Sequence, residues 1–373
     1  MLKNIKYLTG FLIAGLLFSL VACSGDTTST STSTSTSTPI PVPTSDPTTS
    51  GATLYTFSNT SPHITKIDAE TNTVLQTADI PDLVRLAWND DGNYFDGTDL
   101  WLAARDNVLK TSELIFLNLE ALSVSGRLDL GSNPANVYLG VGNLKDGLTS
   151  DGEVWVALQG NMDQAGELVI VDPKTREIID RVVDSVNQIA CDIGVAVGPD
   201  GVERVFVPNQ KMDAVQNFDA KSRALITTVT QPEGSMPFML TTAPDGKSVW
   251  VQDGKAGTNS VLDAVTLETI KRIPTGAGPV VASFSPDGKY GYVGHSKSSF
   301  VTVVDTQTLE IITNVEVGSS PSKLAAHPNG KYLYAIVTKE NAVAVINTNT
   351  WAVESKIQLD SSPGGIYIVT KSE

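Results

Sequence analysis

The chain has 373 residues, 41% of them hydrophobic and 18% charged, with 41 acidic against 26 basic side chains and a formal net charge of −15. Such a surplus of carboxylates argues against a broad face for DNA, RNA or an anionic lipid surface, each of which calls for clustered cations. With two cysteines, 19 prolines and 30 glycines, neither a disulfide scaffold nor a collagen-like fibre is available.

Residues 1–22 open with Lys3 and Lys6 and continue as the apolar run YLTGFLIAGLLFSLVA. A basic start before a short hydrophobic core reads as an export signal, not a domain. The four residues Leu20–Cys23, LVAC, resemble the lipobox of bacterial lipoproteins. That resemblance implies cleavage before Cys23 and lipidation of its thiol, palmitate included; the competing reading is an uncleaved anchor or an ordinary signal. Ser24 in the next position implies, by the same resemblance, sorting to the outer membrane, facing either the periplasm or the cell surface. In a cell with one membrane it implies the outer face of the plasma membrane.

Residues 23–52 are a Ser/Thr/Pro tract, SGDTTSTSTSTSTSTPIPVPTSDPTTS and its flank. Lacking apolar groups to offset the entropy of ordering, it is expected to act as a flexible linker with a reach of about 30 Å. Because residues 1–22 hold two lysines and no acids, the remainder carries a formal −17. Cys191 is then the one cysteine of residues 53–373, so no internal disulfide can form, and a small buried apolar role is expected for it. No C-x-x-C-H occurs, which excludes covalent haem c attachment.

From residue 53 onward the chain repeats itself. Pro237, Pro279, Pro321 and Pro363 are 42 residues apart, and Asp245-Gly246, Asp287-Gly288 and Asn329-Gly330 keep the same step. Asp-Gly and Asn-Gly make tight turns between strands, since both positions accept positive φ. An aromatic follows in each unit: Tyr55, Trp101, Trp155, Phe206, Trp250, Tyr292 and Tyr334. Next come β-branched runs such as ELVIVD, FVTVVD and AVAVIN, and a last strand such as EIITNVEV. Asp68, Asp172, Asp219, Asp263, Asp305 and Asn347 lie between these two strands. Their short side chains suit turn-forming bonds to nearby amides better than metal ligation.

Units of about 42 residues with four short strands cannot bury both faces alone, so they must stack; radial closure leaves few open edges. The fold expected is all-β, a seven-bladed propeller of four-stranded blades. GGIYIVTKSE at the C-terminus carries an innermost-strand pattern with no unit after it, so it should complete the first blade. At this point the repeat, SPDG, an aromatic strand, then V-x-V-I-D-T-x-T, resembles the YVTN family of β-propellers over about residues 53–370. The resemblance implies architecture and assigns no catalytic residue.

Loops joining second to third strands, and those linking successive blades, share one face. Lys211, Lys255, Lys297 and Lys339 fall five residues after the aromatic in four consecutive units, an arc suited to an anionic ligand in so acidic a chain. Arg105, Gln159, Asn209, Asp253 and His295 fall near the same loops, and Phe238 in a blade-linking one. His63 is expected on that face and His327 on the other. Asn89–Asp99, NDDGNYFDGTD, offers Asp91, Asn93 and Asp96 as calcium ligands but lacks the closing glutamate of an EF-hand. Ser320–Lys323 matches S-x-x-K only in a blade-linking loop. No G-x-S-x-G or H-E-x-x-H motif occurs.

These readings point to a membrane-tethered, monomeric envelope lipoprotein, with no cofactor, whose propeller binds another envelope protein or polysaccharide. The competing reading is a propeller enzyme or cofactor protein, lactonase-like with a metal or haem-binding, working at the channel mouth.

Overall fold

In the computed structural model, residues 51–58, 61–80, 94–106, 111–131, 139–141, 152–160, 165–183, 185–186 and 192–370 are described. They form seven four-stranded antiparallel sheets arranged as the blades of a propeller. Among the described residues, one 3-10 turn at Thr338–Glu340 is the principal departure from strand and turn. The same residues include no helix long and apolar enough to cross a membrane. Cys23, Asp91, Asn93, Cys191 and the stretch around Leu144 lie outside the described residues.

The ring closes as expected. Pro363–Thr370 is the innermost strand of blade one and pairs antiparallel with Ala52–Ser58, in the register Leu54↔Ile368 and Tyr55↔Tyr367. Closure therefore costs no covalent bond; it uses the ladder hydrogen bonds that an open edge would leave unpaired.

Burial follows position in the blade. Third strands such as Phe300–Asp305 are buried at four successive positions because neighbouring blades cover both faces. Outermost strands such as Leu225–Thr230 alternate exposed and half-buried residues. All seven repeat aromatics are 4% exposed or less, and burial of each side chain contributes about 1.5–3 kcal/mol.

Each turn between third and fourth strands is built alike. The Asx side chain accepts backbone N–H bonds two and three residues on, as in Asp305 Oδ1 with Gln307 and Thr308 at 3.0 and 2.8 Å. Asn118 does the same in blade two, without the usual Ser or Thr partner. The residue four after each Asx is left-handed: Asn72, Leu122, Arg176, Arg223, Leu267, Leu309 and Trp351 have φ between 47° and 64°. These residues are what lock the blades together. Arg176 lies 5.6 Å from the Trp101 ring of the preceding blade and Arg223 lies 4.9 Å from that of Trp155. Tyr334 donates to Asn72 at 2.9 Å, and Trp351 meets Tyr292 edge-on.

Candidate functional site

The four lysines sit where the repeat predicts. Lys211 lies between strands Glu203–Asn209 and Ala214–Asp219, Lys255 between Ser248–Asp253 and Thr258–Asp263, Lys297 between Tyr290–His295 and Phe300–Asp305, and Lys339 in the 3-10 turn. All four are exposed. Because the second strand of every blade runs in the same sense, these loops share one face of the ring, occupying blades four to seven.

The loops are held in place by backbone bonds to the blade-linking segments beside them. Lys255 N donates to Ser235 O at 3.2 Å and Gly254 N to Met236 O at 3.1 Å. Asp213 tightens the same corner by accepting from Gly234 N at 2.6 Å and Met236 N at 2.7 Å. In blade six Ser296 N donates to Gly278 O at 2.8 Å, and Ser320 N to Ser298 O at 3.0 Å. Rigid presentation of this kind lowers the ordering cost that a charged loop meets on binding.

The other polar residues on this side are placed differently. Asn209, Asp253 and His295 are fully buried and Gln159 is 5% exposed, so they lie beneath the face and not on it. Asn209 Oδ1 caps its own loop through Met212 N at 2.9 Å. Asp253 Oδ2 accepts from Thr258 Oγ1 at 3.0 Å and Ser260 Oγ at 2.5 Å, and Ser260 accepts in turn from Arg272 at 2.9 Å. Burial, opposed by those hydrogen bonds and by Arg272, pushes the Asp253 carboxyl above the usual range. His295 Nδ1 meets Phe300 O at 3.1 Å, and burial holds the ring below its ordinary pKa, favouring the neutral form. Phe238 is half-buried in the innermost strand Pro237–Thr242. Arg105 is next to last in strand Asp99–Asp106, in backbone register with Ser112.

Around the axis lies a cavity of about 570 Å³. Its described wall comes from the innermost strands, with Ile193, Leu240, Val281, Leu324 and Ile366 at its heart. Thr241, Thr242, Ser283, Ser285 and Tyr367 also line it, so the wall is mixed; the 42-residue spacing of Leu240, Ala282 and Leu324 was the sequence signal for its apolar part. Asp192, buried next to Ile193, accepts from Leu240 N at 3.0 Å. Among the described residues no three of His, Cys, Asp and Glu converge. His63 bonds Asp79 at 2.8 Å, while His327 faces the opposite side, 3.3 Å from Glu70. Asp96 has its oxygens occupied by donors: Thr98 N, Asp99 N, Trp101 Nε1 and Arg176, at 2.8–2.9 Å. Although burial opposes it, those bonds hold its carboxyl low. It serves as the buttress of the Arg176 stack on Trp101.

No family profile and no curated protein sequence matches the chain. Solved structures do. The chain is similar to a protein of unknown function from Desulfotomaculum acetoxidans, with a TM-score of 0.66, 16% identity, and coverage of 86% of this chain and 99% of that one. Against the periplasmic gluconolactonase of Pseudomonas aeruginosa the TM-score is 0.64, with 16% identity and the same coverage. Against the dihydro-heme d1 dehydrogenase NirN the TM-score is 0.57, with 14% identity, covering 82% of this chain and 63% of that one. At these identities the likeness establishes the propeller and leaves activity open.

Proposed function

We propose that this protein is a lipid-tethered module of the cell envelope whose propeller binds an anionic envelope component, protein or polysaccharide, without chemistry of its own. The observation that carries the reading is the arc of four exposed lysines at equivalent positions of four adjacent blades. Four exposed cations at one register of adjacent loops, in a chain with net −15, would draw an acidic partner to that face. Cys23 would carry the lipid anchor and residues 23–52 the reach away from the membrane; Phe238 adds an apolar contact at the rim.

A lactonase-like or haem-binding role at the channel mouth draws support from the names of structural neighbours. Replacing Lys211, Lys255, Lys297 and Lys339 together by glutamate tests the proposal. The variant is expected to keep the wild-type thermal midpoint, since all four side chains are exposed, and to lose retention on an envelope fraction at low salt. Equal retention of both proteins would overturn it.

A further inference from the structure

The opposite face carries a second feature, independent of the lysine arc. Between blades six and seven, the turns Ser285–Lys289 and His327–Lys331 and the turn Asn347–Trp351 enclose a pocket of about 440 Å³, within the range that encloses a small ligand. Its aromatic wall is Tyr290, Tyr292 and Trp351. Trp351 stands edge-on to Tyr290, with ring centroids 5.0 Å apart and planes at 87°. Tyr292 forms the closed floor at 1% exposure, whereas Tyr290 and Trp351 are half-buried and border the space.

Trp351 breaks the repeat. The left-handed slot that it occupies holds Asn72, Leu122, Arg176, Arg223, Leu267 and Leu309 in the other blades. Positive φ is an outlier for a bulky side chain, and the indole, while it meets Tyr290 and Tyr292 edge-on, stays half-buried and borders the pocket. Asn329 and Asn349 are exposed on two sides of the opening. Asn329 Oδ1 accepts from Lys331 N at 2.9 Å, which leaves its amide N–H groups turned to solvent. Asp287, likewise exposed, uses Oδ1 on Ser285 Oγ at 2.6 Å and Lys289 N at 3.1 Å, with Oδ2 left over as an acceptor.

A half-buried aromatic ring beside side-chain amides and a carboxylate matches one ligand chemistry. A pyranose in the gluco configuration has a flat face of C–H groups, which packs on an aromatic ring, and a rim of equatorial hydroxyls that both donate and accept. Neither the Asn side chains nor Asp287 would discriminate an extended peptide, whose amides lie on alternating sides of the chain. We propose that this inter-blade pocket is a saccharide site, with Trp351 as the stacking surface and Asn329, Asn349 and Asp287 as the hydroxyl readers.

The test is titration of the purified protein with cellotetraose and with chitotetraose, followed by tryptophan fluorescence and by isothermal calorimetry. Trp351→Leu restores the residue that the fold already accepts at two equivalent turns, so its thermal midpoint serves as the folding control. Asn349→Ala, at an exposed position, is the second variant. Saturable binding of one of the sugars, weakened at least about tenfold by each variant, supports the site. Wild-type protein that binds neither sugar overturns it, as does a folded Trp351→Leu protein that binds as tightly as wild type. Binding of a proline-rich peptide in place of both sugars overturns it too. Each of these outcomes leaves the lysine arc on the other face untouched.

Discussion

His295 shows how one buried side chain ties stability to pH. The ring is enclosed at 0% exposure and its Nδ1 faces Phe300 O, while burial depresses its pKa in the folded state. Protonation is therefore easier in the unfolded chain, where histidine titrates near about 6.5. The contribution of neutral His295 is intact above that value and is lost as pH falls through the lower folded-state value. Thermal midpoints measured from pH 7.5 to pH 5 should fall for the wild type and fall less steeply for His295→Gln, whatever the variant loses at pH 7.5. Equal slopes would contradict the assignment.

The same position also shows why the site was only partly legible. Counting from the repeat aromatic places Lys255, Lys297 and Lys339 on loops correctly, because a residue in the middle of a tight connection has nowhere to go but solvent. Three and four residues from the aromatic the rule fails. Asp253 and His295 have Val337 as their 42-residue equivalent, and Val337 is fully buried; an apolar residue in one copy was the sign that the slot faces the neighbouring blade. Polar residue type alone suggested a surface role, and the polar groups were instead matched by Thr258, Ser260 and Phe300 inside the blade.

Blade packing depends on contacts just as specific. Gly291 lies in the second strand of blade six, and a Cβ there would stand 2.5 Å from Trp250 of blade five. Neither the tryptophan, 1% exposed, nor the strand can retreat, so Gly291→Ala should destabilise the propeller by about 1–3 kcal/mol. A chemical-denaturation midpoint equal to that of wild type would show that the interface is looser than the packing implies. Strand pattern and turn chemistry were readable in the sequence because each repeats seven times. The left-handed residue four places after each Asx was not. Its occupants, from asparagine to tryptophan, share no chemistry; they share a backbone position that aims them at the aromatic of the preceding blade.

Seven such contacts in a ring make every blade both donor and acceptor, and the pairing of Pro363–Thr370 with Ala52–Ser58 removes the two edges that a linear stack would keep. Closure also fixes a division of labour between faces. The loops carrying Lys211, Lys255, Lys297 and Lys339 lie on one, and the Asp-Gly and Asx turns, with their own exposed Lys174, Lys221 and Lys247, lie on the other. This second set provides an internal reference of the same residue type, exposure and charge. Amine-acylation footprinting of the protein with and without its envelope fraction, read by peptide mass spectrometry, tests the proposed docking face most directly. Protection of Lys211, Lys255, Lys297 and Lys339, with Lys174, Lys221 and Lys247 labelled as before, is the predicted result. Protection confined to the second set, or spread equally over both, would contradict it.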